Sequence, residues 1–135
     1  MEKNIIEHQK ALSFIFAGNS IFTALNTKSN NRFTFKVKKH KEENIYFVSV
    51  LTSPDVYQFI GSVKENNYKH SNKSKISSKS QSVEVFNYIL SRLKTESLPK
   101  IVEIWHNGKC GRCGRTLTVP SSIETGFGPE CIKNL

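Results

Sequence analysis

The sequence predicts an α+β fold: a four-stranded antiparallel sheet, two helices and a small C-terminal lobe. Three observations predict it. Two segments carry apolar residues at helical spacing, four runs bounded by turn residues read as strands, one of them with a period of two, and the tail concentrates every cysteine of the chain in one H-x3-C-x2-C-x17-C pattern. That pattern makes the lobe a zinc-binding one, of the knuckle or treble-clef type.

The first helix is expected over 4–17, where Ile5, Ala11, Leu12, Ile15 and Phe16 fall near one face, with Gly18-Asn19 closing it. Strands are expected over 20–27 and 32–39. In the second, Phe33, Phe35 and Val37 alternate with Thr34, Lys36 and Lys38. Lys28-Ser29-Asn30-Asn31 has turn composition, so the pair reads as a hairpin. Residues 45–52, rich in β-branched and aromatic side chains, and 56–63 form the third and fourth strands. Ser53-Pro54-Asp55 turns between them, and Gly61 marks a bulge.

Residues 65–81 are polar and rich in lysine and serine, which predicts a long loop. The second helix covers 83–94 on the stripe Phe86, Ile89, Leu90 and Leu93, capped by Ser80 or Ser82. A further strand, 101–105, leads into the tail. Ser121 to Thr125 fits a capping box ended by Gly126, and Pro129 opens a short helix expected to reach Asn134.

Length suits a single domain over 1–135: a helix–sheet–helix body at 1–100 and an integral zinc lobe at 101–135. The lobe is expected to pack on the sheet through Trp105, Leu117, Ile123 and Phe127.

The metal chemistry follows from the residue types. Cys110 and Cys113 grip one ion only if the turn between them brings both sulfurs to one side. Gly111 and Gly114 permit such a turn. Cys131 follows Gly128-Pro129-Glu130, on the first turn of the last helix. His106, just after the preceding strand, is the expected fourth ligand; His40, His70 and a water are the alternatives.

The ion is expected to be structural. Glu130 is the sole acid beside a cysteine of the motif, and the H-x-E…P-C-x-x-C and H-E-x-x-H patterns are absent. So are phosphate-cradling glycine loops. The chain therefore reads as a non-enzyme.

A net charge of +9 favours polyanionic partners, nucleic acid or an acidic protein surface. Lys28, Arg32, Lys36, Lys38 and Lys39 lie on the first hairpin with no acid among them. Lys69, Lys73 and Lys75 lie in the polar loop, and Arg112 and Arg115 on the knuckle. Tyr46, Tyr57 and Tyr68 stand among basic residues as candidates for base stacking, or equally for core and cross-strand packing. No apolar run reaches the roughly 20 residues that span a bilayer. The N-terminal stretch lacks the features of an export signal, and a cytoplasmic location is expected.

From His106 to Cys131 the run H-x3-CGRCGR-x-LTVP-x-SI-x2-GFGPEC resembles a family of small proteins encoded by phages and prophages, mostly of unassigned function. FAGNSIFT, RFTFKVKK, YFVSVLTSPD and FIG upstream resemble it too. The resemblance implies His106, Cys110, Cys113 and Cys131 as zinc ligands and no catalytic residue. The chain is also similar to zinc-containing anti-CRISPR proteins of streptococcal prophages. That likeness implies a Cas9 inhibitor in the host cytoplasm.

Overall fold

The computed structural model describes residues 4–118 and 120–133. The elements run β1 Ile5–Ile6, α1 His8–Ile15, β2 Asn19–Asn26, β3 Arg32–Lys39, β4 Ile45–Ser53, β5 Val56–Lys64, β6 Asn67–His70, α2 Gln81–Lys94, β7 Val102–His106, α3 Pro120–Thr125 and α4 Pro129–Lys133. The strands form one seven-stranded sheet in the order β1-β7-β2-β3-β4-β5-β6, antiparallel at each pairing.

This corrects the expected four-stranded α+β architecture: the fold is mostly β, with short helices. The four expected strands are present, and three more join them. β7 was expected as a strand outside the sheet; it inserts beside β2 and pairs with it from Phe22↔His106 to Asn26↔Val102. β1 arises where a helix was expected. Two successive β-branched residues, Ile5 and Ile6, pair with Trp105 and Ile104, and the helix starts only after Glu7.

β6 arises from the polar stretch expected as loop. Glu65 and Asn66 both take the left-handed conformation, with φ of 52° and 63°. That is the requirement of a two-residue type I′ hairpin, and Lys64 duly pairs with Asn67. Beyond β6, the hydroxyls of Ser71, Ser74 and Ser77 each accept from the amide two residues on, ordering the segment as serial turns. Ile76 packs against the core from within it. Ser80 sits at the N-cap of α2 without a side-chain capping bond.

One face of the sheet is the core face. Phe22, Phe35, Val37, Val48, Ile60 and Ile104 point into it and are fully buried. α1 adds Phe14, and α2 adds Val83, Phe86, Ile89, Leu90 and Leu93. Phe35 bridges the sheet and α2, with ring centroids 5.5 Å from Phe22 and 5.2 Å from Phe86. A register shift between Val48 and Ser49 leaves Ile60 as the extra residue of a bulge beside Gly61. A Cβ at Gly61 would fall 2.4 Å from the Lys69 carbonyl oxygen, so β6 closes onto β5 only because that position is glycine.

Among the described residues no helix is long and apolar enough to cross a membrane.

Candidate metal centre

β7 delivers the chain from the core directly into the knuckle. Past His106 the backbone reverses through Gly108, φ +87°. A bridge forms between Lys109 and Thr116, and the Leu117 amide donates to the Gly108 carbonyl at 2.8 Å. Within this small hairpin the Cys110 amide donates to Arg115 and the Gly114 amide to Cys110, at 2.8 and 2.9 Å. Gly114 takes φ +79°, as the expected left-handed turn requires.

Gly111 has a different role. It is not left-handed; a Cβ there would lie 2.7 Å from Cδ1 and Cε1 of Phe14. The glycine lets the knuckle lie flat on the helix α1 ring. Its amide donates to the Gly126 carbonyl at 2.9 Å, and the Asn19 amide donates to the Gly111 carbonyl at 2.8 Å. The knuckle is thus tied both to the tail and to the start of β2.

The sulfurs of Cys110, Cys113 and Cys131 lie within 4.8 Å of one another, and all three cysteines are free. Thiolates about 2.3 Å from a tetrahedral zinc stand about 3.8 Å apart, so the three sit near the spacing an ion needs. The three cysteines could hold a metal ion. A pocket of about 490 Å³ beside them is lined by Arg115, Thr118, Ser122, Pro129 and others.

Electrostatics at the three sulfurs differ. Burial pushes the Cys110 thiol up, but hydrogen bonds from the backbone of Cys113, Gly128 and Arg112 outweigh it and hold it down at about 7. Burial and then the adjacent sulfurs of Cys113 and Cys110 push Cys131 up to about 11. The backbone thus favours the thiolate at Cys110, while the neighbouring sulfurs oppose it at Cys131.

His106 does not join the sulfurs. Its ring is buried, 2% exposed, on the core face of β7. Nδ1 accepts from the Gly108 amide at 3.0 Å, and Nε2 bonds to the Ile123 carbonyl. Both ring nitrogens are therefore engaged within the protein, in the neutral tautomer protonated at Nε2. Desolvation lowers its pKa, and the bond to Ile123 opposes this. His106 fastens β7 to α3 rather than meeting the sulfurs. His40 and His70 are committed elsewhere: Nδ1 of His40 accepts from the Glu42 and Glu43 amides, and His70 bonds Tyr68 and the Ile76 carbonyl. Among the described residues, no fourth histidine, cysteine or acid completes the group.

Of the side chains expected to pack the lobe on the sheet, Leu117 and Phe127 are buried and Ile123 is half-buried, and Phe127 meets helix α1, its ring 5.6 Å from Phe14 and tilted at 56°. Trp105 does not share in this packing. Strand alternation puts Ile104 and His106 inward, so Trp105 lies on the opposite sheet face, where its indole donates to Glu103 at 3.1 Å. α4 carries Cys131 as expected, from Pro129 to Lys133; Asn134 lies outside the described residues.

The basic residues fall into separate groups. Arg32, Lys36 and Lys38 are exposed on β3, opposite the core face, and the pairing Ser62↔Lys69 puts Lys69 on that same side. Lys39 has the other parity, and its ammonium donates to the carbonyls of His40 and Glu43 at 3.4 Å. Lys28 is exposed in the β2–β3 turn, and Lys73 and Lys75 are exposed in the serine-turn segment. Arg112 and Arg115 are exposed on the knuckle. Of the tyrosines, Tyr46 packs on Phe16 at 5.0 Å and Tyr68 on Phe86 at 5.4 Å, both on the core side. Tyr57 alone stands with Lys36, whose Nζ lies 5.5 Å from its ring centroid. Phe47 and Phe59 are exposed on that same face, and sequence reading missed them: the alternation of β4 assigns Phe47 outward, but an apolar aromatic is read as core by default.

Residues 105–135 match the model of the Family of unknown function (DUF6011). No curated protein and no solved structure matches the chain.

Proposed function

We propose that Cys110, Cys113 and Cys131 bind a structural zinc ion, and that the protein acts by binding a macromolecular partner rather than by catalysis. The convergence of three free thiols within 4.8 Å, from a knuckle and a helix far apart in sequence, supports this reading. Zinc suits a thiolate-rich set, and it adds no redox chemistry. Bound there, it would join the knuckle to α4 and hold the tail against α1 and β7. Metal analysis of the purified protein tests this: one zinc per chain is expected, and Cys113→Ser is expected to lose it. A folded protein free of metal, unresponsive to added zinc, would sink the reading.

The finer reading is an inhibitor that engages a host nuclease complex, Cas9 in particular, and blocks DNA loading or cleavage. The likeness of the His106 to Cys131 run to prophage zinc proteins supports it. A Cas9 cleavage assay with saturating protein checks it, and unimpeded cleavage would eliminate it. A second reading, direct nucleic-acid binding, is favoured by the placement of Arg32, Lys36 and Lys38 on the sheet face that no described helix covers.

A further inference from the structure

The outward face of β2–β5 is a surface that no described helix packs against. Both longer helices lie on the other side, with Phe22, Phe35 and Phe86. The registers place its side chains in transverse rows. Asn19, Lys38, Phe47 and Ser62 align in one, and Ile21, Lys36, Ser49 and Phe59 in the next. Phe47 is 39% exposed and Phe59 37%, their rings 6.2 Å apart and edge-on at 64°. His40, held by the Glu42 and Glu43 amides, adds a third ring 5.8 Å from Phe47.

Lys36 and Lys38 share the rows of these rings on β3, and Arg32 lies further along the same face. Neighbouring positions on one side of a strand stand about 7 Å apart, so Lys36 and Lys38 form a regular cationic row. No carboxylate points outward from β2 to β5. Asp55, Glu42, Glu43 and Glu65 are in turns at the strand ends, and Glu103, on β7, is engaged with the Trp105 indole.

We propose that this open face binds single-stranded nucleic acid, with Phe47 and Phe59 stacking bases and Arg32, Lys36 and Lys38 neutralising phosphates. The proposal rests on the non-enzymatic binding reading and names its partner class. Charge complementarity selects a polyanion. The exposed rings select a single strand, because a duplex keeps its base faces stacked inside and offers none to a flat sheet. The knuckle extends the same corner: Asn19, paired with Lys38, donates through Nδ2 to the Arg112 carbonyl at 3.0 Å.

Fluorescence anisotropy with a labelled mixed-sequence DNA strand of about 12 nucleotides, a length within the usual range for such sites, tests it on the full, zinc-supplemented protein. Binding at low salt is expected, with the matching duplex a poor competitor. Lys36→Ala/Lys38→Ala should flatten the slope of log affinity against log salt by about 1.4, for two lost single-strand phosphate contacts. Phe47→Ala/Phe59→Ala should weaken binding about 30-fold or more with the slope unchanged. Circular dichroism confirms that each variant is folded.

No binding at low salt would overturn the proposal, as would equal binding of duplex. So would full affinity in the phenylalanine variant, equal competition by polyglutamate, or a dimer that the phenylalanine variant splits. Zinc content, measured on the same samples, separates the two readings. A zinc-loaded protein that ignores the strand overturns only the sheet site; a metal-free protein that binds it overturns only the metal.

Discussion

Gly111 lies so close to Phe14 that a methyl group on its Cα would sit 2.7 Å from the ring. Gly126 approaches the same ring from the tail, its absent Cβ 2.9 Å from Cδ1. The knuckle and the tail therefore pack on opposite sides of sequence but on one phenylalanine. Four glycines of the lobe make a graded test. Gly111→Ala should cost about 1–3 kcal/mol through overpacking. Gly126→Ala adds strain to the clash, since its φ is +79°. Gly108→Ala, φ +87° in open space, should cost only the left-handed penalty of roughly 1–2 kcal/mol. Gly128→Ala meets nothing and should stay within about 0.5 kcal/mol. Denaturant unfolding of the four variants checks the order.

Cys113 is exposed while Cys110 is fully buried. Cys113→Ser removes almost no packing, so its effect on stability should come through the metal. In zinc, its melting temperature should fall well below that of the parent; in chelator, the two should coincide. A difference that persists in chelator would assign Cys113 a packing role instead.

His106 should behave as a neutral anchor. His106→Ala leaves the Ile123 carbonyl and the Gly108 amide without their partner and should cost about 1–3 kcal/mol. The folded variant should keep its zinc stoichiometry, measured by metal analysis. Loss of the ion with the fold intact would instead make the ring a ligand.

The same burial sets a pH dependence. Desolvation holds the His106 pKa below its ordinary 6.5 in the folded state. As pH falls below 6.5, the unfolded chain takes up the proton first. Stability from this group is therefore complete above 6.5 and is lost as pH drops toward the folded value. Unfolding free energy, measured in chelator across that range, should decline less steeply for His106→Gln than for the parent.

Ser20 is fully buried, and its hydroxyl donates to the Ile15 carbonyl at the end of α1 at 2.6 Å. Ser20→Ala leaves that carbonyl unsatisfied and should cost about 1–3 kcal/mol in chemical unfolding.

The sequence by itself determined most of the local elements and which three cysteines come together. Alternation in β3, the stripe of α2 and the C-x2-C knuckle are all short-range signals, legible because strand and helix periods and thiol spacing are local properties. It could not show β1 or β6, for a two-residue strand has no period and a polar edge strand looks like loop until Glu65 and Asn66 turn it back. Only the tertiary structure decided which side chains share a face. Inserting β7 beside β2 sent His106 into the core against Ile123 and Trp105 to the far side, and the registers of β4 on β3 and of β5 on β4 set Phe47 and Phe59 beside the lysines of β3. The physical reason is that strand alternation fixes two faces, but only pairing and helix packing choose which of them is buried.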